Sequence, residues 1–337
     1  PGYYVSTSAA TNQTACPFGT YNQNIASTNL SACLNASPGH YVDTSAATNQ
    51  TACPSGTYNP SAGATNGSAC LYASPGHYVP SAGSANQIAA SPGYYVSTSA
   101  ATNQTACSPG TYQPSTGQTY CLDASPGYFV ISAGSANQTV ASPGYYVSTS
   151  AATNQIACSP GTYQSSTGQT FCLDASVGYY VPSNGSANQT AASPGYYVPS
   201  SGASSQIQCI EGTYQASTGQ SSCVLADAGY YVSSPGSANQ TPCPAGTYQI
   251  LPGQNDCMQA EWGHYTSEPG STYEIPCPPG TAQAIHGQSS CLDAPAGYFA
   301  SGPGQILFEP CLLGTYQPET GQSLCLEADA GYYVPDN

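Results

Sequence analysis

The segment SPGYYVSTSAATNQTAC, residues 91–107, returns as SPGYYVSTSAATNQIAC at 142–158 and opens the chain as PGYYVSTSAATNQTAC at 1–16. It carries no charge, one cysteine, two adjacent tyrosines and an Asn-Gln-Thr. Copying so plain a segment points to a tandem repeat, in which each copy meets another like itself. Every unit begins with a glycine followed two residues later by an aromatic. Twenty such glycines run from Gly2 to Gly331. They are evenly spaced, as in Gly93, Gly110, Gly127 and Gly144, apart from two longer intervals, Gly19 to Gly39 and Gly56 to Gly76. Ala282 is the only departure at the aromatic position.

Two kinds of unit alternate. One reads Gly-(Tyr/His)-(Tyr/Phe)-Val and the other Gly-Thr-Tyr-Gln, as in CPAGTYQILPGQNDC at 243–257. Extra units of the first kind are inserted at Gly76, Gly127 and Gly178. The recurrent glycine implies a positive φ or a close backbone approach, and the Pro-Gly before the aromatics marks a turn. Gly-Tyr-Tyr-Val has strand-forming residues bounded by turn signals. Period-two alternation sends its tyrosines to opposite sides, the near-invariant second one inward and the variable first one toward solvent. No segment has helical periodicity. The expected fold is mainly β: an elongated, disulfide-stapled tandem-repeat rod of about twenty 17-residue units, with almost no helix. A 17-residue unit reads equally as one solenoid coil or as half of a 34-residue module. One array covers 1–337 and begins and ends mid-repeat, as a mature product or a segment of something longer. Residues 1–75 have longer-loop repeats, 76–208 contain the inserted cysteine-free units, and 209–337 alternate regularly and are more acidic.

The 16 cysteines choose their own partners. They fall into sequential pairs: Cys16 with Cys33, Cys53 with Cys70, Cys107 with Cys121, Cys158 with Cys172, Cys209 with Cys223, Cys243 with Cys257, Cys277 with Cys291, and Cys311 with Cys325. The inserted units hold Ala90, Ala141 and Ala192 where a cysteine is due, and none is followed by a Gly-Thr-Tyr unit that would supply its partner. Cysteines are thus gained and lost in pairs. The rival pairing, each second cysteine to the next one along, gives spans of 20 or 37 and leaves both ends orphaned. An even, regularly spaced count also places the chain in an oxidising, extracellular or cell-surface compartment. Zinc sites want closely spaced Cys-x2-4-Cys pairs. Even the nearest cysteines here, such as Cys107 and Cys121, lie much further apart than that in sequence, so no metal is expected.

CPAGTYQILPGQNDC, CSPGTYQPSTGQTYC and CLLGTYQPETGQSLC resemble the ephrin type A/B receptor-like cysteine-rich repeat, and are similar to the first module of tumour necrosis factor receptor repeats. The resemblance covers eight modules. It implies that the two cysteines of each module bond to each other, within elongated, extracellular, disulfide-laddered rods. That family's second module carries further cysteines, where this chain has Leu-Asp-Ala-Ser-Pro-Gly-Tyr. No ligand-binding residue follows from the resemblance.

Charge narrows the partners. The chain has no lysine or arginine and 15 carboxylates, for a formal charge of −15. Nothing can neutralise phosphates, so neither nucleic acid nor an anionic membrane is an expected partner. Twelve of the carboxylates lie between Glu211 and Asp336. No signal peptide, transmembrane run or lipid-anchor motif is present, so direct membrane insertion is not expected. Ten Asn-x-Ser/Thr sequons, at Asn12, Asn29, Asn35, Asn49, Asn66, Asn103, Asn137, Asn184, Asn188 and Asn239, are candidate glycan acceptors. Six of them lie ten residues after the glycine of a Gly-(Tyr/His)-(Tyr/Phe)-Val unit. The plain alternative is that Asn and Thr are common turn residues, since Asn86 and Asn154 hold the same place without a sequon. His40, His77 and His264 replace a tyrosine and read as aromatic exchange. His286 lies in a turn-like Ile-His-Gly. Asp123, Asp174, Asp293 and Glu327 follow Cys-Leu and read as a sparse, solvated acidic row. No catalytic constellation or phosphate loop appears. The expectation is a non-enzymatic structural glycoprotein with no cofactor beyond covalent glycans. Its main partner is a copy of itself in a filament or surface appendage, with other surface proteins possible. The alternative is a receptor or adhesin stalk, with binding sought near Met258, Trp262 and Ala282, where the repeat is least regular.

Overall fold

The structure, a computed structural model, describes residues 1–334. It is a tandem array of nineteen two-stranded antiparallel hairpins, each strand two residues long. The only helix among the described residues is two 3-10 turns, Leu30–Ala32 and Gly67–Ala69, in the two longer loops. The chain forms two compact units. One comprises Pro1–Cys158 with Gln164–Cys172, the other Ser159–Tyr163 with the residues from Leu173 onward. Each is built by the same rules.

The Gly93 hairpin shows them. Ser91-Pro92-Gly93-Tyr94 is a type II turn, with proline second and glycine third at a φ of 85°. The Tyr94 N–H donates to the Ser91 carbonyl at 3.0 Å. Tyr94 then pairs with Ala106 and Tyr95 with Thr105. The Cys107 N–H closes the hairpin on the Gly93 carbonyl at 2.9 Å.

Two two-residue strands make too little contact to stand alone, so the remaining backbone groups reach other hairpins. The Gly93 N–H donates to the Gln113 carbonyl at 2.8 Å and the Val96 N–H to that of Gln118 at 3.0 Å, both in the next hairpin. In the hairpin after that, the Gly134 N–H donates back to the Cys107 carbonyl at 2.8 Å. Along each unit, a hairpin therefore bonds its immediate successor and stacks on its second neighbour. Within each unit the hairpins form two columns, so one sequence repeat is half of the stacking period.

The core lies where these contacts converge. Three residues after the turn glycine stand Val79, Val96, Val130, Val147, Val181 and Val198, all buried, alternating with buried amides such as Gln113 and Gln164. Opposite them, every cysteine or alanine that ends a hairpin is fully buried from Cys16 to Ala294. This corrects the inward placement of the second tyrosine. Both tyrosines of the Gly-Tyr-Tyr-Val run are half-buried in most hairpins, and Phe129, at 7% exposure, is the one second-position aromatic in the core. The strand ends after two residues and the chain turns inward at the third, so the valine takes the interior position. Phe129 packs on Ala141 and Val147, with Ala152 beside them.

Candidate functional site

The structure joins all sixteen cysteines in eight sequential bridges, with separations of 17 in the first two and 14 in the rest, and Cα–Cα distances of 5.5–5.8 Å. Each bridge runs from the buried end of one hairpin to the loop of the next. Ala90, Ala141 and Ala192 fill the same buried place without a bridge. Closing a loop of this length contributes about 3 kcal/mol by the chain-entropy estimate.

Inside each short bridged loop sits a buried glutamine. Gln113 accepts from the Ser115 N–H through Oε1 at 3.1 Å and donates through Nε2 to the Tyr120 carbonyl at 2.9 Å. Gln164, Gln215, Gln249, Gln283 and Gln317 repeat the donation at 2.8–3.0 Å. In the two longer loops asparagine takes over. Asn22 Nδ2 reaches back to the Tyr3 carbonyl at 3.0 Å, and Asn59 Nδ2 to that of His40 at 3.0 Å. The exchange of Gly-Thr-Tyr-Gln for Gly-Thr-Tyr-Asn with loop length is the sequence signal for this organiser.

All ten sequon asparagines are exposed. Between the exposed Asn103 and Thr105, Gln104 turns inward, and its Oε1 accepts from the Ser91 N–H at 2.7 Å. Gln87 and Gln155 make the same bond in units that lack a sequon. The glutamine, which ties the hairpin's end to its turn, thus recurs independently of the glycan signal. Asn66 accepts from the Ser68 N–H at 3.1 Å and caps its 3-10 turn.

The inserted hairpins shift the pattern sideways. In the first unit the Gly19 and Gly56 hairpins share a column, and the insertion at Gly76 puts the next Gly-Thr-Tyr hairpin, at Gly110, in the other column. In the second unit the insertion at Gly178 separates the Gly161 hairpin from those at Gly212, Gly246, Gly280 and Gly314, which stack directly on one another. That second column exposes Val224, Met258, Leu292 and Leu326 at equivalent places.

Asp174 and Asp293 each lie beneath a glycine of the hairpin two units on, 3.8 Å from where a β-carbon at Gly202 would be and 3.5 Å from one at Gly321. Asp123 and Glu327 hold the same strand position. No group of three or more His, Cys, Asp or Glu placed to hold a metal is found among the described residues. His40 and His264 occupy the first-tyrosine place, with Nδ1 3.3 Å from the Pro38 carbonyl and 3.0 Å from the Trp262 carbonyl. His77 Nδ1 is buried without a hydrogen-bond partner among the described residues. His286 meets Trp262, with ring centroids 4.4 Å apart and planes 39° apart. Glu274 replaces the inward glutamine and accepts from the Glu261 N–H at 2.7 Å. Burial, with the Glu274 and Glu261 carboxylates adding to it, raises the nearby Tyr248 phenol above its ordinary pKa.

No family model matches the chain, and no curated protein matches it either. No helix among the described residues is long and apolar enough to cross a membrane. The molecule is a disulfide-rich hairpin-repeat protein whose bridges require an oxidising environment.

Proposed function

We propose that the chain is a structural, extracellular glycoprotein, without enzymatic activity, that assembles with copies of itself into a filament or cell-surface appendage. The observation that carries this reading is the stacking of hairpin on hairpin through backbone groups, which repeats along each unit. Any hairpin offers donors forward through its turn glycine and backward through the residue seven positions later. A second copy placed head to tail meets complementary groups, and such a heterologous contact propagates. Exposed sequon asparagines favour covalent glycans, which would supply the solvation that so few charges cannot. The resemblance to extracellular cysteine-rich modules points the same way. Isolated stalks, the alternative, draw support from the irregular exposed surface around Trp262.

Negative-stain electron microscopy of the oxidised, glycosylated protein tests assembly. Uniform fibres longer than one chain, with an axial repeat, are expected. Isolated particles at every concentration would exclude filament formation and favour the stalk.

A further inference from the structure

The stacked Gly246 and Gly280 hairpins carry apolar side chains at a loop position where their counterparts are polar. Leu251 and Ile285 hold that position, each donating its N–H to a buried glutamine Oε1 at 3.1–3.2 Å. Elsewhere it is Asn24, Ser61, Ser115, Ser166, Ser217 or Glu319. Met258 and Leu292 hold a second equivalent position, and all four are exposed. Trp262, the only tryptophan, stands 54% exposed against His286. The patch lies within the second unit. No sequon follows Asn239, so no N-linked glycan signal falls on this stretch.

Carboxylates lie at the Trp262 end of the patch. Glu261 precedes Trp262, the Glu261 N–H donates to Glu274, and Asp256 stands two residues before Met258. The chain has no lysine or arginine with which to answer them, so a second copy would meet this face only with neutral or like-charged groups. We infer that this face docks a different protein: a segment bearing lysine or arginine interleaved with apolar side chains. Its cations would meet the carboxylates and the Trp262 ring face, and its apolar side chains would cover Leu251, Met258, Ile285 and Leu292. The docking face does not depend on filament assembly.

The single tryptophan reads out the test. An alternating lysine–leucine peptide is titrated into the oxidised protein while Trp262 fluorescence is followed. A saturable change is expected, weakening about tenfold or more when salt is raised. An alternating lysine–serine peptide of equal charge is expected to bind at least about tenfold more weakly, as is the lysine–leucine peptide to a Leu251→Ser, Met258→Ser, Ile285→Ser, Leu292→Ser variant. No saturable change, or equal binding of the two peptides to the unaltered protein, would overturn the assignment. So would unchanged binding to the folded variant.

Discussion

Gly93 lies so close beneath the carbonyl of Gly134, two hairpins on, that a β-carbon at Gly93 would stand 2.1 Å from that oxygen. The same contact recurs along both units at 2.0–2.4 Å. Glycine is needed here twice over, for its positive φ and for the approach of backbone to backbone.

Gly93→Ala should therefore cost about 3 kcal/mol, combining left-handed strain with overpacking. The partner position behaves oppositely. Ala100 and Ala151, in the copied segments, adopt φ of 59° and 55° where most hairpins have glycine. Ala100→Gly should stabilise by about 0.5–1 kcal/mol. Urea unfolding of the two variants checks both signs.

The paired substitution Cys107→Ala, Cys121→Ala should lose about 3 kcal/mol of loop-closure stabilisation while leaving the hairpin packed, because alanine already fills that buried site at Ala90, Ala141 and Ala192. Circular dichroism should be unchanged at low temperature, with the urea midpoint lowered.

Gln113→Leu would strand the Tyr120 carbonyl and the Ser115 N–H in a partly buried loop. A loss of about 1–3 kcal/mol is expected. Gln113→Asn should not restore stability, since asparagine is a methylene shorter and in this chain serves the longer loops. Thermal unfolding of the two variants provides the comparison.

Tyr248 sets a pH dependence. Its folded pKa is raised, first by burial and then by Glu274 and Glu261. The folded form therefore holds the phenolic proton more tightly than the unfolded chain. Its contribution is fully present below the ordinary value of about 10 and is lost as pH rises through the higher folded value. Tyr248→Phe should flatten the decline of stability as pH rises above about 10, measured by urea unfolding against the unaltered protein.

Much of this fold was legible in the sequence. Pro-Gly before two aromatics identifies the turn and strand, and the absence of cysteines at Ala90, Ala141 and Ala192 points to sequential bridging. The core position was not legible, because Tyr95 and Val96 both form strands readily and only the inward turn after two residues buries the valine. Stacking by alternate hairpins was hidden too, since the interval between turn glycines suits either one coil or half of one. Its sequence trace is the glycine or alanine seven residues after each turn glycine, as regular as the turn itself. At the patch, the irregularity around Met258 and Trp262 was visible, but the approach of His286 and the alignment of Leu251 with Ile285 arise only from stacking.

Amide hydrogen exchange tests that stacking most directly. Gly93, Val96 and Gly134 donate only to other hairpins, while Cys107 donates within its own. Stacked hairpins predict that all four amides are protected together, in a rhythm that recurs with every unit. Protection of Cys107 with rapid exchange at Gly93, Val96 and Gly134 would mean independent hairpins joined only by sulfur, and would contradict the two-column stack.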